Sequence, residues 1–532
     1  MQLVDGSLVV SPTDLTKFSA CRQLTRLDVE VARGLRPAPP EPGEGLEILH
    51  RRGLEHERRY LDRLRAEGRH VVEIDRPAGA GPAGWRAAEA ATVAAMASGT
   101  DVVYQATFFD GSWRGHADFL LRRDDRPGSW SWSYDVADTK LARRASVRAL
   151  HQLAAYAERL TVLQGVAPGQ LVVITGGGAE QAVAYAEVAS AARRRRAEFV
   201  AFAADPAATR PEPVAHCGRC RWHAHCREEW RRADDLQLVA SLGRGHAERL
   251  HAAGIGTVEA LAAADPEAAV TGLAPAVVER LVHQARLQLV ERRTGRSAHR
   301  LLRPAPGRGL AALPVPSPGD VFFDIEGDPF AAEHGLEYLF GVLGASGYTA
   351  FWATGPQQEQ TAFESLVDHL GRAWAADPGM HIYHYAPYEV VRLRALAGRY
   401  GTRTDEVDRL LRGERLVDLY TVVRQGIQVG KESYSLKRLE DHYWGHGRGG
   451  APVVDALGSV VAFERWLLDG ARPDDPVLEH LRAYNEEDCR STQALRDWLE
   501  ELRSCGGGDP VYPRPVHGDG GAEAQQGLDR WW

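Results

Sequence analysis

Hydrophobic and polar positions follow different rhythms in different stretches of the chain, and the changes of rhythm mark out its parts. In residues 1–235 helical and strand periods alternate. Arg51–Glu67 sets Leu54, Leu61 and Leu64 at helical spacing among charges, which predicts an amphipathic helix. Val102–Phe109 and Trp113–Leu121 read as strands joined by the turn Asp110-Gly111. Trp130–Lys140 alternates, with Trp132, Tyr134 and Val136 on one face. Val147–Leu160 returns to the helical period, and Gln170–Thr175 is a further strand. Strands interspersed with helices predict an α/β or α+β domain.

Residues 236–302 read as a small helical module, in which Gly254-Ile-Gly256 separates two short helices. Residues 303–319 are rich in Pro and Gly and are expected to be a linker. From residue 320 to 503 a second α/β domain is expected. Its predicted strands are Val321–Ile325, Tyr338–Leu343, Thr349–Trp352 and His381–Tyr385. Its predicted helices include Glu359–Trp374 and a last one spanning Val477–Leu502. Residues 504–532 are expected to be a flexible tail, with Cys505 in it.

Composition narrows the class. A chain of 532 residues that is 44% hydrophobic is not disordered and has room for about three domains. No run of 18 apolar residues occurs, and Met1-Gln-Leu-Val-Asp-Gly lacks the basic-then-apolar shape of a signal peptide. A cytoplasmic protein with no membrane partner is the expectation. The net charge of −8 argues by itself against a nucleic-acid partner. The charges are unevenly spread, however. Residues 1–235 carry 33 basic and 31 acidic groups, residues 236–316 carry 10 and 6, and the remainder carries 21 and 35. The first two stretches are therefore the ones suited to a phosphate backbone. Lysine occurs only at positions 17, 140, 431 and 437 among 64 basic residues, so each lysine marks a place where an ammonium is needed.

Candidate chemistry gathers in two places. Asp138-Thr-Lys140 lies on the alternating strand, with acid and amine on one face, and Gly115-His-Ala-Asp118 precedes it. Two carboxylates can hold a hard divalent cation, and a lysine can orient a water or offset developing charge during phosphodiester hydrolysis. Gly53-Leu-Glu-His56 offers an imidazole on the preceding helix, while Gln152 and Tyr156 share a face of the following one. This ordered set resembles the RecB-like branch of the PD-(D/E)xK nucleases, with a restriction-endonuclease-like α/β core. The resemblance implies His56, Asp118 and Asp138 as ligands of Mg2+ or Mn2+, Lys140 as catalytic, and Gln152 and Tyr156 as substrate-positioning residues. The motif acid is Asp138 where Glu is commoner, a variation the pattern allows.

Cys21 precedes this set, and Cys217, Cys220 and Cys226 follow it. The arrangement resembles iron–sulfur RecB-like exonucleases, which implies that these four hold a [4Fe–4S] cluster stapling the two ends of the domain. Zinc is the alternative, with His216, His223 and His225 adjacent. Cys489 reads as an ordinary buried thiol.

The second place begins with Asp324 and Glu326 on one face of the strand that opens the last domain. Tyr484 and Asp488 lie on one side of the last helix, and His381–Glu389 comes between. Such acids can hold two metals about 3.5–4 Å apart. The set resembles the DEDD-type exonucleases of RNase H-like fold, in the subtype whose third motif carries a tyrosine. The resemblance implies Asp324, Glu326 and Asp488 as metal ligands, with Tyr484 orienting the attacking water. The second motif departs from the pattern: His384 and Glu389 stand where Asn and Asp are usual. Glu389 is the candidate ligand there, and Asp418 is a further acid that could serve or merely brace. Gly254 and Gly256 resemble a helix-hairpin-helix, which implies a phosphate held by backbone amides. The order of the three modules resembles RecB-like nucleases whose larger relatives continue into a helicase. No P-loop occurs, so any helicase would be a separate partner. Two functions are carried forward: a DNA nuclease with two sites, acting on single-stranded ends in repair, recombination or defence, and a nucleic-acid-binding scaffold with one or both sites inactive.

Overall fold

A six-stranded sheet organises the first of two units, Met1–Glu229, in a computed structural model. The structure describes residues 1–40, 44–76, 81–331, 334–445, 448, 453, 455–504, 512 and 514. The strands lie in chain order: Val71–Glu73, Val102–Phe109, Arg114–Arg123, Ser133–Thr139, Gln170–Ile174 and Glu180–Ala184. The strand beginning at Arg114 pairs antiparallel with those beginning at Val102 and Ser133 on its two sides. Gln170–Ile174 then runs parallel to Ser133–Thr139, a step that requires a crossover. Helix Val147–Gln164 supplies it. Ser146 caps its start by accepting from the Ala149 amide, and Gly165 ends it at φ +73°.

Ser133–Asp138 is buried on both faces, so its alternation does not separate a wet side from a dry one. Tyr134 and Val136 pack with Leu153, Ala157 and Leu160 of the crossover helix. Ala137 and Phe119 pack with Tyr60, Leu61 and Leu64 of helix Glu44–Ala66. The strand is thus central, and its polar residues are held inside.

The second unit, Trp230–Trp532, has a five-stranded sheet. Its spatial order is Gly347–Trp352, Leu336–Gly344, Val321–Asp328, Ile382–His384 and Leu416–Asp418. The first three are antiparallel and the last two join parallel. Helix Pro476–Ser504 packs on this sheet, burying Leu481 and Tyr484 with Tyr338, Phe363 and Phe463. The helices Arg244–Ala252, Val258–Ala263 and Pro275–Thr294 share a core of their own around Leu250, Leu261, Val278 and Leu281.

Three expectations change. Residues 236–302 are not wholly helical, because His299–Leu301 forms a strand antiparallel to Ile427–Val429. Residues 303–319 are not a free linker. Leu310, Ala311 and Leu313 are buried with Tyr383, Leu419 and Val423, since apolar residues among the prolines gain more from burial than from solvent. Gly309, at φ +58°, lies against Gly426 so closely that a Cβ would stand 2.7 Å from its Cα. Most of residues 504–532, Cys505 included, lie outside the described residues. Tyr512 is nevertheless buried in the same core and donates to the Leu302 carbonyl at 3.1 Å. No helix among the described residues is long and apolar enough to cross a membrane.

Candidate functional site

In the first unit, strand register brings the acids together. Phe119 pairs with Ala137, so one further step toward the strand ends sets Asp118 beside Asp138. Asp118 Oδ2 accepts from the Thr139 amide and hydroxyl, both at 2.8 Å. Burial first, and the neighbouring Asp118 charge second, hold the Asp138 carboxyl well above the usual range, while Lys140 opposes both. The Lys140 ammonium contacts Asp138 Oδ2 directly. Burial would lower its pKa, but Asp138 and Asp118 outweigh that and raise it. These groups line a cleft of about 440 Å3 together with Gly53, Glu57, Gln152 and Tyr156.

The glycines of the first motifs act differently. A Cβ on Gly115 would lie 2.6 Å from the Tyr156 ring, so Gly115 lets that tyrosine close over the acids. A Cβ on Gly53 would meet nothing within 4 Å, and its smallness keeps the cleft open. Tyr156 is hydrogen-bonded to Gln152, and burial drives its phenol far above its ordinary value. His56 is buried with Nε2 3.3 Å from the Ile174 carbonyl oxygen, and burial lowers its pKa. The titratable groups of that helix that line the cleft are instead His50 and Glu57, which sequence reasoning missed. Glu57 Oε1 accepts from the Tyr104 hydroxyl at 2.8 Å and from the Gln105 amide. Burial and Asp118 raise its carboxyl. Gln105 stands across from Asp118 at φ +56°, between paired neighbours Tyr104 and Ala106. Left-handed backbone at a non-glycine strand position is strain of the kind that collects at functional sites.

The cysteines converge at the edge of this unit. Cys21 Sγ accepts from the Leu24 amide at 3.5 Å and Cys217 Sγ from the Val214 amide at 3.3 Å. Burial raises Cys220, and burial followed by the neighbouring Cys220 pushes Cys226 up to about 12; both also feel Cys21 and Cys217. Cys21, Cys220 and Cys226 pack on Trp222. Asp28 fastens the two chain segments: it accepts from Lys17 at 3.1 Å, Arg221 at 2.6 Å and the Trp222 indole at 2.8 Å. His216 lies close by, its pKa lowered by burial first and then by Arg219, Arg148 and Lys17.

In the second unit Asp324, Glu326 and Asp488 place one ligand atom each within 4.8 Å of one another. Among the described residues this is the one set of three or more His, Cys, Asp or Glu that does so. Burial first, then Asp488, holds Asp324 well above the usual carboxylate range and pushes Glu326 up to about 8. Burial likewise raises Asp488, against Arg448 and Lys437. A set of buried acids that resist ionising together is one that divalent charge would relieve. Residues that sequence reasoning did not single out position them. Asn485 donates to Asp324 Oδ2 at 2.7 Å, and its own oxygen accepts from Tyr348 at 2.8 Å. Gly341, opposite Asp324, makes room: a Cβ there would overlap the Asn485 carboxamide. Ser459 donates to Glu326 at 2.8 Å. Lys437 donates to the Tyr484 hydroxyl at 2.8 Å, and Arg448 pairs with Asp488 and Glu440.

The second motif has unusual backbone. Ala386 is at φ +75°, its amide donates to Asp418 at 2.8 Å, and its carbonyl lies 2.8 Å from His384 Nδ1. Asp418 also accepts from the Tyr420 amide and the Thr421 hydroxyl, so it braces the turn. Glu389 is buried, and its Oε2 lies 3.4 Å from His384 Nδ1 without a well-formed hydrogen bond. Its charge reaches Asp324 and Glu326. At the Gly254-Ile-Gly256 hairpin, Gly254 takes φ +81°. The amides of Val258 and Glu259 beyond it already bind the Asp234 carbonyl and carboxylate. Two amide donors just beyond the hairpin are therefore already engaged within the protein.

No curated protein matches the chain. A family model described as RNase_H_2, of the RNase_H superfamily, matches residues 321–500. The matched segment runs from the strand bearing Asp324 and Glu326 into the helix bearing Asp488, so the acidic set lies in an RNase H-like domain within a multidomain α/β chain.

Proposed function

We propose that the chain is a metal-dependent nuclease with two hydrolytic sites that degrades DNA from single-stranded ends. The observation that carries this reading is the set of Asp324, Glu326 and Asp488 within 4.8 Å, in a segment similar to the RNase H superfamily. A bound divalent ion would neutralise these acids, polarise the phosphodiester and acidify a water. Asn485 fixes the face that Asp324 presents, and Ser459 does the same for Glu326. Glu389, with a buried oxygen outside any well-formed hydrogen bond, fits a fourth acid. Tyr484, whose hydroxyl accepts from Lys437, would orient the water.

In the first unit, Asp118 and Asp138 would hold Mg2+ or Mn2+ with His56 behind them, and Lys140 would serve the nucleophile. Mutual repulsion between the acids supports this. For the four cysteines a [4Fe–4S] cluster fits better than zinc. Cys21 brings a fourth sulfur to the three of the Cys217–Cys226 segment, and Cys220 and Cys226 both feel Cys21 and Cys217. Amide donors on Cys21 and Cys217 also suit cluster ligands.

The test is degradation of labelled single-stranded DNA with Mn2+ by the parent, Lys140→Ala, Asp324→Ala and the double variant. Two active sites predict residual cutting in each single variant and none in the double; an inert parent, purified anaerobically, refutes the reading. Brown colour with iron and sulfide in the protein supports the cluster, and stoichiometric zinc refutes it. The pairing of Arg448 with Asp488 favours a second reading, a nucleic-acid-binding scaffold whose C-terminal site is silent. That reading predicts no loss of activity in Asp324→Ala.

A further inference from the structure

The cleft of the first unit does not end at its acids. A second depression of about 540 Å3 adjoins it, and the two share Thr13, Leu49, Lys140 and Gln152 in their walls. Their charge differs sharply. The second is lined by Lys17, Lys140, Arg148, His216, Arg219 and Arg221, and by no aspartate or glutamate. In a chain with more acids than bases, such a surface is a selective concentration of one sign.

Besides Lys140, three separate parts of the fold bring its basic groups. Helix Pro12–Ala20 brings Lys17, the first turn of helix Val147–Gln164 brings Ser146 and Arg148, and the loop between Val214 and Trp222 brings Arg219 and Arg221. Lys17 and Arg221 are engaged by Asp28, and Lys140 by Asp138. Arg148 and Arg219 are exposed and make no ion pair among the described residues. The start of an 18-residue helix adds its own partial positive charge.

We infer that this groove is the track of the substrate strand: a sugar-phosphate backbone lies along Arg219 and Arg148 and enters the carboxylate cleft past Lys140 and Gln152. The inference rests on the reading of the first unit as a nuclease and names how its substrate is held. The groove's lining has charged groups but no Phe, Tyr or Trp ring, so it grips backbone without stacking bases, and binding is indifferent to sequence. It also gives the cysteine segment a purpose beyond stapling. Arg219 lies between Cys217 and Cys220, so whatever those thiols hold fixes one wall of the track.

The test uses the full chain carrying Asp138→Asn and Asp324→Asn, which keeps Lys140, silences both proposed sites and so separates binding from cleavage. Fluorescence anisotropy follows a labelled oligothymidylate, and in a parallel arm an oligouridylate, without divalent metal. Arg148→Glu and Arg219→Glu are each expected to weaken binding roughly 10-fold at low salt. Each should also flatten the log–log salt dependence by about 0.7 for every phosphate that is no longer neutralised. Arg58→Glu, an equal charge change at an exposed position outside the groove, should stay within about twofold. Arg148→Glu places an acid in the first turn of a helix, where the dipole favours it, so folding is not at risk. Arg219→Gln repeats the second test without a new charge near the cysteines.

Equal losses for both oligomers support recognition of the shared phosphate backbone, and a loss for DNA alone supports a track that also reads the sugar. Binding by both arginine variants at the level of Arg58→Glu overturns the inference. So does capture of inorganic pyrophosphate as tightly as the oligomer, which would mark a small-ligand site. An inert parent whose binding still depends on Arg148 and Arg219 refutes the nuclease reading and leaves the track standing. A cutting parent whose binding ignores them does the reverse.

Discussion

Replacing Glu326 by Gln should make the metal-free protein more stable, the opposite of the usual effect of altering a buried residue. Burial and the Asp488 charge push Glu326 up to about 8 from an ordinary 4.5. The folded state then binds the proton more tightly than the unfolded chain. Stability therefore falls as pH rises from 4.5 to 8, and the deficit is complete above 8. At pH 7 the deficit accumulated since 4.5 corresponds to about 3 kcal/mol at 1.36 kcal/mol per pKa unit. This is an upper bound, because Asp324 and Asp488 share the same repulsion and relax when one charge is gone. Gln keeps the shape and still accepts the Ser459 hydroxyl, now 2.8 Å from the carboxylate.

The assay is denaturant unfolding in chelator at pH 5 and pH 7.5, followed by titration with Mn2+. The variant should match the parent at pH 5 and exceed it at pH 7.5. Saturating metal should raise the parent by about 2.7 kcal/mol at 100 times its dissociation constant and raise the variant far less. A variant less stable than the parent at pH 7.5 in chelator refutes the reasoning. So does a parent whose stability is flat between these pH values.

Further outcomes are expected elsewhere. Lys437→Met should lower kcat of the C-terminal site roughly 10- to 100-fold with KM unchanged, because the tyrosine loses its positioning partner. Adding Tyr484→Phe to it should then change little, and additive losses would show that Lys437 does not act through Tyr484. Asp28→Asn should destabilise the first unit by about 2 kcal/mol, discounted because Lys17 and Arg221 are each 34% exposed. Burial alone would raise that carboxyl, but Lys17, Trp222 and Arg221 together hold it below 3.8. Its contribution is thus present above 3.8 and lost as pH falls through the lower folded value, and acid melts that coincide for parent and variant would contradict this. Gly341→Ala should displace Asn485, cost about 1–3 kcal/mol and reduce activity together. Full activity at parental stability would mean that Asn485 does not set the face of Asp324.

The periodic parts of the fold were legible because period reports burial. Val102–Phe109 was read to the residue, and the helices at Val147–Gln164, Pro356–Ala376 and Pro476–Ser504 to within four positions at either end. Short strands such as Leu416–Asp418 have too few residues to show a period and are recognisable only through their neighbours. The buried stretch at Leu310–Leu313 was hidden by its prolines, which report local chain stiffness and not what covers it. In the candidate sites, acids at strand and helix spacings were readable as pairs, because register and helical turn are local. What orients them was not. Asn485 and Ser459 reach Asp324 and Glu326 from more than a hundred residues away, and nothing local in Glu57 tells it from His56.

The four lysines show how far a compositional bias carries an argument. Where arginine serves nearly every solvated position, a lysine that persists is expected to do something a planar guanidinium does less well, which is to present a compact charge to one or two oxygens in a confined place. Each one does. Lys17 reaches Asp14 and Asp28, Lys140 reaches Asp138, Lys431 bridges Glu291 and Asp441, and Lys437 donates to Tyr484. Two of these contacts belong to proposed catalytic machinery and one to the cysteine clamp. The fourth, at Lys431, lies in neither and ties helix Pro275–Thr294 to the 3-10 turn at Glu440–His442. Rarity therefore signals a close contact in a confined place and does not by itself signal catalysis. The distinction comes from what the ammonium touches. At Lys140 and Lys437 the partner belongs to, or stands among, acids raised first by burial and then by mutual repulsion, where a fixed positive charge has most effect on chemistry.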